Sequence, residues 1–217
     1  MSMKTTGSRT KEDVCKAAEM IVKLSQSQSR GGAPSFTPYH IIEFLKAASQ
    51  GSIGRPSLQR TLGLGEASIK TLILRLRDAD LITHKGKGHE TTERGRNVIN
   101  YISNLINYKH INFDIPGLWD EDSIVVNSPC IKPPKTLTEV YFIRDYLVSS
   151  GCRMSVIGGA HKGYLKFPGV PGYIANELRI MLSDYKLDGL VVVAPLTCVS
   201  SVVSGILKAV IDLCCNS

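Results

Sequence analysis

Residues 53–92 constrain the fold of this chain more than any other segment. A short stretch with helical apolar spacing, residues 56–62, is followed by a Gly-Leu-Gly break at residues 63–65. A longer helix is predicted over residues 66–79, because its apolar side chains recur at 3.6-residue spacing. The predicted inward-facing residues are Ile69, Leu72, Ile73 and Leu76.

A β-ribbon is predicted directly after this helix. Its strands cover residues 81–83 and 89–92, on either side of the basic, glycine-rich turn Lys85-Gly86-Lys87-Gly88. A helix opening at Thr37-Pro38 precedes the segment, and a helix over residues 96–108 follows it. This order of elements is typical of a winged helix-turn-helix, which we assign to residues 36–110.

Charge divides the chain into two unlike halves. Residues 1–110 contain 17 Lys and Arg against 9 Asp and Glu, whereas residues 111–217 contain 9 against 10. The net charge of +7 therefore belongs to the N-terminal half. Such an asymmetry favours a polyanion as the partner of that half, and we expect double-stranded DNA.

The predicted DNA contacts come from two surfaces. Outward positions of the helix over residues 66–79 supply the recognition residues Ser68, Lys70, Thr71 and Arg75. The turn of the ribbon and its flanks supply phosphate contacts from Arg55, Arg60, Lys85, Lys87, Arg94 and Arg96. Leu74 also points outward, toward thymine methyls or the preceding helix. The alternatives are an ordinary solvated face and a winged helix that contacts another protein.

Several of these segments resemble a known superfamily. The stretch over residues 54–72, together with Ala79-Asp80-Leu81-Ile82 and Thr92-Glu93-Arg94-Gly95, is similar to winged-helix repressors of the MarR-like superfamily. The whole layout resembles a family of archaeal transcriptional regulators whose C-terminal domain has no assigned function. This resemblance implies a regulator that binds operators as a homodimer. Asp80 stands where the superfamily commonly has glycine, so a slightly different turn is expected.

Two apolar-striped helices flank the winged-helix segment, over residues 11–28 and 96–108. Both are suited to pair across a two-fold axis in a homodimer. The alternative is that each packs within one subunit.

Residues 111–217 predict a second, α/β domain, after an N-terminal helix and linker over residues 1–35. The predicted order is β-α-β-β-α-β-α, a small α/β sandwich with a ferredoxin-like arrangement as the candidate topology. The whole chain is therefore expected to be α+β.

Three roles are open for this second domain. A sensor of a small-molecule effector would use a pocket near Gly158-Gly159, and an ordinary hairpin turn is the alternative for that site. An enzyme would need a nucleophile beside a base, and Cys152 and His161 are the candidates. A purely structural domain is the third. The pocket residues of the sensor hypothesis are Arg144, Arg153, His161, Lys162 and Tyr164.

The remaining features predict a cytoplasmic protein without metal or cofactor. The six cysteines lack C-x-x-C spacing, and some of them lie in apolar stretches, as is typical of reduced structural cysteines in cytosolic proteins. The first ten residues lack the apolar core of a secretory signal. The apolar stretch over residues 189–207 contains Pro195 and three serines, so it predicts a buried strand, a turn and a helix rather than a membrane span.

Overall fold

A computed structural model describes residues 10–27, 34–115 and 117–216 of the chain. The described residues form eight α-helices and two antiparallel sheets, so the chain is α+β as predicted. The first part comprises α1 (Lys11–Leu24), α2 (Pro38–Ser49), α3 (Arg55–Leu62), α4 (Glu66–Asp78), β1 (Ile82–Lys85), β2 (Gly88–Thr91) and α5 (Glu93–Leu105). The second comprises β3 (Asn107–Ile111), β4 (Ser123–Ser128), α6 (Leu137–Ser149), β5 (Val156–His161), β6 (Tyr164–Lys166), α7 (Gly172–Met181), β7 (Gly189–Pro195) and α8 (Val199–Val210).

The break between α3 and α4 follows from its glycines. Gly63 ends α3 in the left-handed conformation, with φ of 64°, which glycine adopts without steric cost. Gly65 then caps the start of α4. The four predicted inward residues of α4 are all buried, with Ile69, Leu72 and Leu76 fully inaccessible and Ile73 4% exposed. The sequence prediction of this pair of helices is confirmed.

The larger sheet has the strand order β3-β4-β7-β5-β6, and all its neighbours are antiparallel. Its centre is β7, in which every residue is buried. Leu190, Val192 and Ala194 face one hydrophobic cluster, whereas Val191 and Val193 face the other. A strand that is apolar on both faces must lie in the middle of a covered sheet.

The ferredoxin-like topology suggested by the sequence is not the one observed. In that arrangement the third strand of the β-α-β-β-α-β repeat separates the first two. Here the fourth strand, β7, lies between β4 and β5, and the third, β6, is at the edge. The reason is burial: β6 has three residues, none of them buried, so it gains little from a central position.

A further strand, β3, begins within the last two residues of the helix that the sequence predicts over residues 96–108. The helix α5 ends at Leu105, because Ile106 has the extended backbone angles φ −146° and ψ 130°. Residues Asn107–Ile111 then pair along the whole of β4 and satisfy backbone groups that would otherwise be exposed at its edge. The larger sheet therefore begins at residue 107 and not after residue 110.

The two parts of the chain share one hydrophobic core. Helix α8 packs against both α2 and α6, and the Thr37 and Ser200 hydroxyls lie 2.9 Å apart. One cluster of buried residues extends from Ala17 in α1 to Val210 in α8. The apolar stripes of α1 and α5 are buried in this cluster, so they pack within one subunit.

One helical run, Leu196–Cys215, is long and apolar enough to cross a membrane, with a mean hydropathy of 1.8. In the fold it is a core element, since Val202, Val203, Ile206 and Val210 are inaccessible to solvent. This burial is consistent with a soluble protein. The predicted strand, turn and helix of this region are all present.

The expectation of reduced cysteines is wrong for four of the six. Cys15 is bonded to Cys215, and Cys130 to Cys214, with Cα–Cα distances of 5.5 and 6.1 Å. The partners are 200 and 84 residues apart in the sequence, so spacing gave no sign of the pairing. Only the packing of the C-terminal helical turn, Ile211–Cys215, against α1 and the loop after β4 brings them together.

Candidate nucleic-acid interface

The hairpin β1–β2 is attached to the segment before α3 by backbone hydrogen bonds. The Ile53 amide donates to the His89 carbonyl and the His89 amide donates to the Ile53 carbonyl, both at 3.0 Å. The Ser52 hydroxyl also donates to the Lys85 carbonyl at 2.8 Å. A Cβ on Gly88 would lie 2.6 Å from the Ile53 oxygen, so this crossing requires glycine. The hairpin is thereby fixed relative to α3 and α4.

The base of the hairpin is held by the start of α5. The Thr92 hydroxyl donates to the Asp80 carbonyl at 2.7 Å and accepts from the Gly95 amide at 3.0 Å. A Cβ on Gly95 would lie 2.1 Å from the Leu81 oxygen. Asp80 has a φ of 57°, a conformation that aspartate tolerates better than most residues. Because glycine adopts a positive φ most readily, it would also suit position 80.

The exposed face of α4 carries a stripe at i, i+4 and i+7 spacing. Lys70, Leu74 and Arg77 share this face, with Thr71 beside them, and all four are exposed. Leu74 is 48% exposed, so it does not pack beneath α3. The Lys70 ammonium lies 2.8 Å from the Glu66 carboxylate, and this hydrogen bond is the main cause that lowers the pKa of Glu66.

Two predicted recognition residues are occupied within the chain. Arg75 donates from Nη1 to the carbonyls of Leu24 and Gln26, at 2.7 and 2.6 Å, and stacks over the Phe36 ring. It therefore ties α4 to the end of α1, and its predicted phosphate contact is not available here. The Ser68 hydroxyl bonds to the Ser35 hydroxyl.

Arg77 is the exposed arginine that the sequence analysis missed. Seven residues after Lys70, it returns to the same face of the helix, whereas Arg75 lies about 140° around the axis. The helical spacing alone therefore contained the signal that separates the two arginines.

The hairpin turn presents one free lysine and one paired lysine. Lys85 pairs with Gly88, and the turn between them contains Gly86, with φ of 58°, and Lys87. The Lys85 ammonium lies 2.8 Å from the Glu90 carboxylate. Lys87 is exposed at the tip and has no ion-pair partner among the residues that the structure describes.

Basic side chains of α3 and α4 lie within electrostatic reach of His89 on the hairpin. Burial is the main cause that lowers the pKa of His89, and the charges of His84, Arg55 and Arg77 lower it further. The His84 and His89 rings lie 5.4 Å apart. We call the exposed set Arg55, Lys70, Thr71, Leu74, Arg77, His84 and Lys87 the α4–hairpin surface.

The other three predicted flanking arginines are not part of the α4–hairpin surface. Arg60 is exposed on α3. Arg96 donates to the Thr91 carbonyl at 2.9 Å. Arg94 lines a cavity of about 550 Å³ beside α1, together with the acidic residues Asp13, Asp80 and Glu93. The acidic surroundings of Arg94 are unfavourable for a phosphate.

The predicted effector pocket is not assembled. Arg144 and Arg153 are exposed, on α6 and before β5, while His161, Lys162 and Tyr164 lie at the β5–β6 turn. A cavity of about 280 Å³ near that turn is lined by Tyr164 and Arg179 but by none of the other four predicted residues.

Gly158 and Gly159 lie inside strand β5, not in a turn. A Cβ on Gly158 would lie 2.3 Å from the Lys166 oxygen, and one on Gly159 would lie 2.4 Å from Pro133. These glycines therefore allow close packing of neighbouring segments, and they form no cradle for an anion.

The hypothetical Cys152–His161 pair is separated by the length of β5. Strand β5 alone spans about 16 Å, with Cys152 before its start and His161 at its end. The Cys152 thiol donates to the Met154 carbonyl at 3.1 Å, and burial, with the neighbouring Cys198, raises its pKa to about 12. Such a thiol is a poor nucleophile at neutral pH.

Comparisons with known proteins are sparse. No protein-family model and no curated protein matches the sequence. Among solved structures, the fold is similar to that of a hypothetical protein from Pyrococcus horikoshii OT3, with a TM-score of 0.56 and 19% sequence identity. The similarity covers 80% of this chain and 90% of that protein. At this identity the similarity shows a shared fold alone.

Proposed function

We propose that residues 36–110 form a winged helix that binds double-stranded DNA through the α4–hairpin surface. The observation that carries the proposal is that the start of α3 lies against the hairpin tip: backbone hydrogen bonds join Ile53 to His89, and a Cβ on Gly54, beside Arg55, would lie 3.7 Å from the Lys87 carbonyl oxygen. Arg77, at the end of α4, is exposed near the same hairpin, and the charges of Arg55 and Arg77 both lower the pKa of His89. No pair of sequence neighbours accounts for this gathering of charge.

In the proposed complex α4 lies in the major groove and the hairpin tip lies along a phosphate strand. An α-helix fits this groove, and Lys70 and Thr71 near its N-terminal end are the residues nearest the base edges. Lys87, Arg55 and Arg77 neutralise phosphates. Lys70 contributes less to binding than an unpaired lysine, because its ion pair with Glu66 must first be broken.

The salt dependence of binding tests this arrangement. The variant Arg55→Ala/Arg77→Ala/Lys87→Ala removes three phosphate contacts, so the slope of log K against log salt should become shallower by about 2.7 for a duplex. The measurement is fluorescence anisotropy with random-sequence duplex, between about 50 and about 200 mM salt.

A matched control removes three cations elsewhere. Lys162, Lys166 and Lys186 are exposed in the C-terminal part, so Lys162→Ala/Lys166→Ala/Lys186→Ala lowers the net charge equally. The control should keep the wild-type slope. Equal slopes for the two triple variants would mean that net charge alone drives binding, and would contradict the proposed surface.

A protein-contact surface is the second candidate, and Leu74 favours it. A large apolar side chain that is 48% exposed at the centre of the face suits a protein partner better than a phosphate backbone. The pairing of Lys70 with Glu66, and of Lys85 with Glu90, points the same way. Leu74→Ala separates the two functions, since it should leave random-duplex binding within about twofold.

We further propose that the protein regulates transcription as a homodimer in the cytoplasm. The stripes of α1 and α5 are used inside one subunit, so the second copy must contact another face. Helix α6 offers one, because Leu137, Tyr141 and Val148 are 47%, 54% and 41% exposed. Light scattering on wild type and Tyr141→Glu tests the dimer: a monomer in both would contradict it.

Fractionation tests the cytoplasmic location. The test is needed because the two disulfides are unusual for a cytosolic protein outside hyperthermophiles.

A further inference from the structure

We propose that two copies of this chain pair through helix α6, which packs antiparallel to the same helix of the second copy. The contact face consists of the exposed residues Leu137, Tyr141, Arg144 and Val148, which we call the α6 seam. This inference rests on the proposed homodimer and adds the face and the direction of the pairing. It is independent of DNA binding.

The α6 seam has the spacing at which two helices meet in a coiled coil. Its successive members are separated by four, three and four residues, which is the alternation of the d and a positions of a heptad. They therefore lie within about 60° of one another around the helix axis. Ile143 and Leu147 bury the neighbouring face of α6 in the core, whereas the three apolar members of the seam are between 41% and 54% exposed. An apolar stripe thus remains open to solvent in a single subunit.

The seam is complementary to a reversed copy of itself. Because the spacing four, three, four is the same in both directions, two antiparallel helices align these positions residue for residue. Leu137 then faces the partner's Val148, and Tyr141 faces the partner's Arg144. Two-fold symmetry forms each contact twice. The seam therefore gains two apolar pairs at its ends and two cation–π pairs at its centre.

Charge excludes the parallel direction. In a parallel two-fold pair each residue faces its own copy, so the two Arg144 guanidinium groups would oppose each other near the middle of the seam. Arg144 forms no ion pair within the part of the chain that the structure describes, so no carboxylate of its own subunit neutralises it. The antiparallel direction places an aromatic ring, and not a second cation, against it.

The composition and length of the seam set the expected affinity. Aromatic residues and arginine are enriched in protein interfaces, whereas lysine and glutamate are depleted. Helix α6 has 13 residues and is therefore about 20 Å long. One helix pair of this length buries less than the roughly 1,600 Å² of a standard interface. We therefore expect a dimer that dissociates in the micromolar range.

Charge substitutions at the two ends of the seam test the pairing, with light scattering at about 200 μM and about 2 μM protein as the measurement. Leu137→Glu and Val148→Lys each place a charge against an apolar side chain, so each should weaken association about tenfold or more. The combined variant Leu137→Glu/Val148→Lys places opposite charges against each other twice in the antiparallel pair, so it should recover most of the dimer. In a parallel pair the same combination would oppose like charges.

A matched control makes the same two changes on α7. Tyr173 and Ile180 are 66% and 74% exposed and lie seven residues apart on one face of that helix. Tyr173→Glu/Ile180→Lys should therefore leave association unchanged. Urea unfolding of every variant verifies that the exposed substitutions leave the fold intact.

The outcomes distinguish this inference from the homodimer on which it rests. A wild-type monomer at both concentrations would leave the face to a different protein and overturn both proposals. A dimer that persists in Leu137→Glu and in Val148→Lys would keep the homodimer and overturn the α6 seam. Loss of the dimer in both single variants, without recovery in the combined variant, would overturn the antiparallel direction.

Discussion

The protein contains two hairpins with nearly the same local design. In β1–β2 the turn residues are Gly86 and Lys87, and in β5–β6 they are Lys162 and Gly163. Both turns have two residues, both use a positive φ, and both carry an exposed lysine. Turn chemistry alone therefore does not distinguish the hairpin that we propose to contact DNA from the other one.

The difference lies in what each hairpin is attached to. The first is a separate two-stranded sheet that contains His84 and lies near Arg55 and Arg77. The second extends a five-stranded sheet, and its His161 ring lies 4.0 Å from the carboxylate of Asp188. The turn lysine of the first hairpin therefore adds to a positive surface, whereas the turn lysine of the second adds to a surface of mixed charge. The charge of the neighbouring residues therefore decides which of the two hairpins is the more favourable contact for a polyanion.

The largest expected effects come from substitutions of two glycines that lie close to backbone oxygens of the hairpins. Gly95→Ala at the base of the first hairpin and Gly158→Ala in the second each force a Cβ to within 2.3 Å of a carbonyl oxygen. Each should lower the free energy of unfolding by roughly 2–4 kcal/mol. Urea unfolding provides the measurement. Gly172→Ala, with no atom within 4 Å of the new Cβ, should be neutral or slightly stabilising.

A smaller effect separates the hairpins by function. Lys85→Ala/Lys87→Ala should weaken binding to random duplex roughly tenfold at about 100 mM salt, because the phosphate contact of Lys87 is lost, whereas Lys85 is already paired with Glu90. Lys162→Ala/Lys166→Ala changes the charge of the second hairpin equally and should leave binding unchanged. A mobility-shift titration compares them, and equal losses would end the distinction drawn between the two hairpins.

The smallest effect concerns pH. Burial lowers the pKa of His89 below its ordinary value of 6.5, so the unfolded chain takes up this proton more readily than the folded one. The contribution of His89 to stability is therefore present above that ordinary value and is lost as pH falls through the lowered pKa. His89→Gln should reduce the loss of stability between about pH 7.5 and about pH 5.

The control for the pH experiment is in the second hairpin. His161→Gln replaces an exposed imidazole, and its urea midpoints over the same pH range measure what the loss of a histidine outside the first hairpin does. His40, whose pKa burial also lowers, remains in both variants and accounts for pH dependence that persists. Parallel curves for His89→Gln and wild type would contradict the assignment.

Local patterns predicted the elements but not the fate of single side chains. The spacing of Ile69, Leu72, Ile73 and Leu76 identified the buried face of α4, because a helix repeats every 3.6 residues whatever surrounds it. The same spacing left Arg75 among the outward residues. Its actual partners are carbonyls at the end of α1, about fifty positions earlier in the sequence, and no local pattern encodes that contact.

The sequence by itself determined the α+β class, the order of most elements, the two glycine-dependent turns and the concentration of positive charge before residue 111. These depend on backbone geometry and composition, which act over a few residues. The tertiary structure alone decided that β7 lies at the centre of the sheet, that residues 107–111 form its edge strand, and that Cys15 and Cys130 pair with the adjacent cysteines at 215 and 214. Those outcomes depend on which apolar surfaces cover one another, a competition among segments up to 200 residues apart.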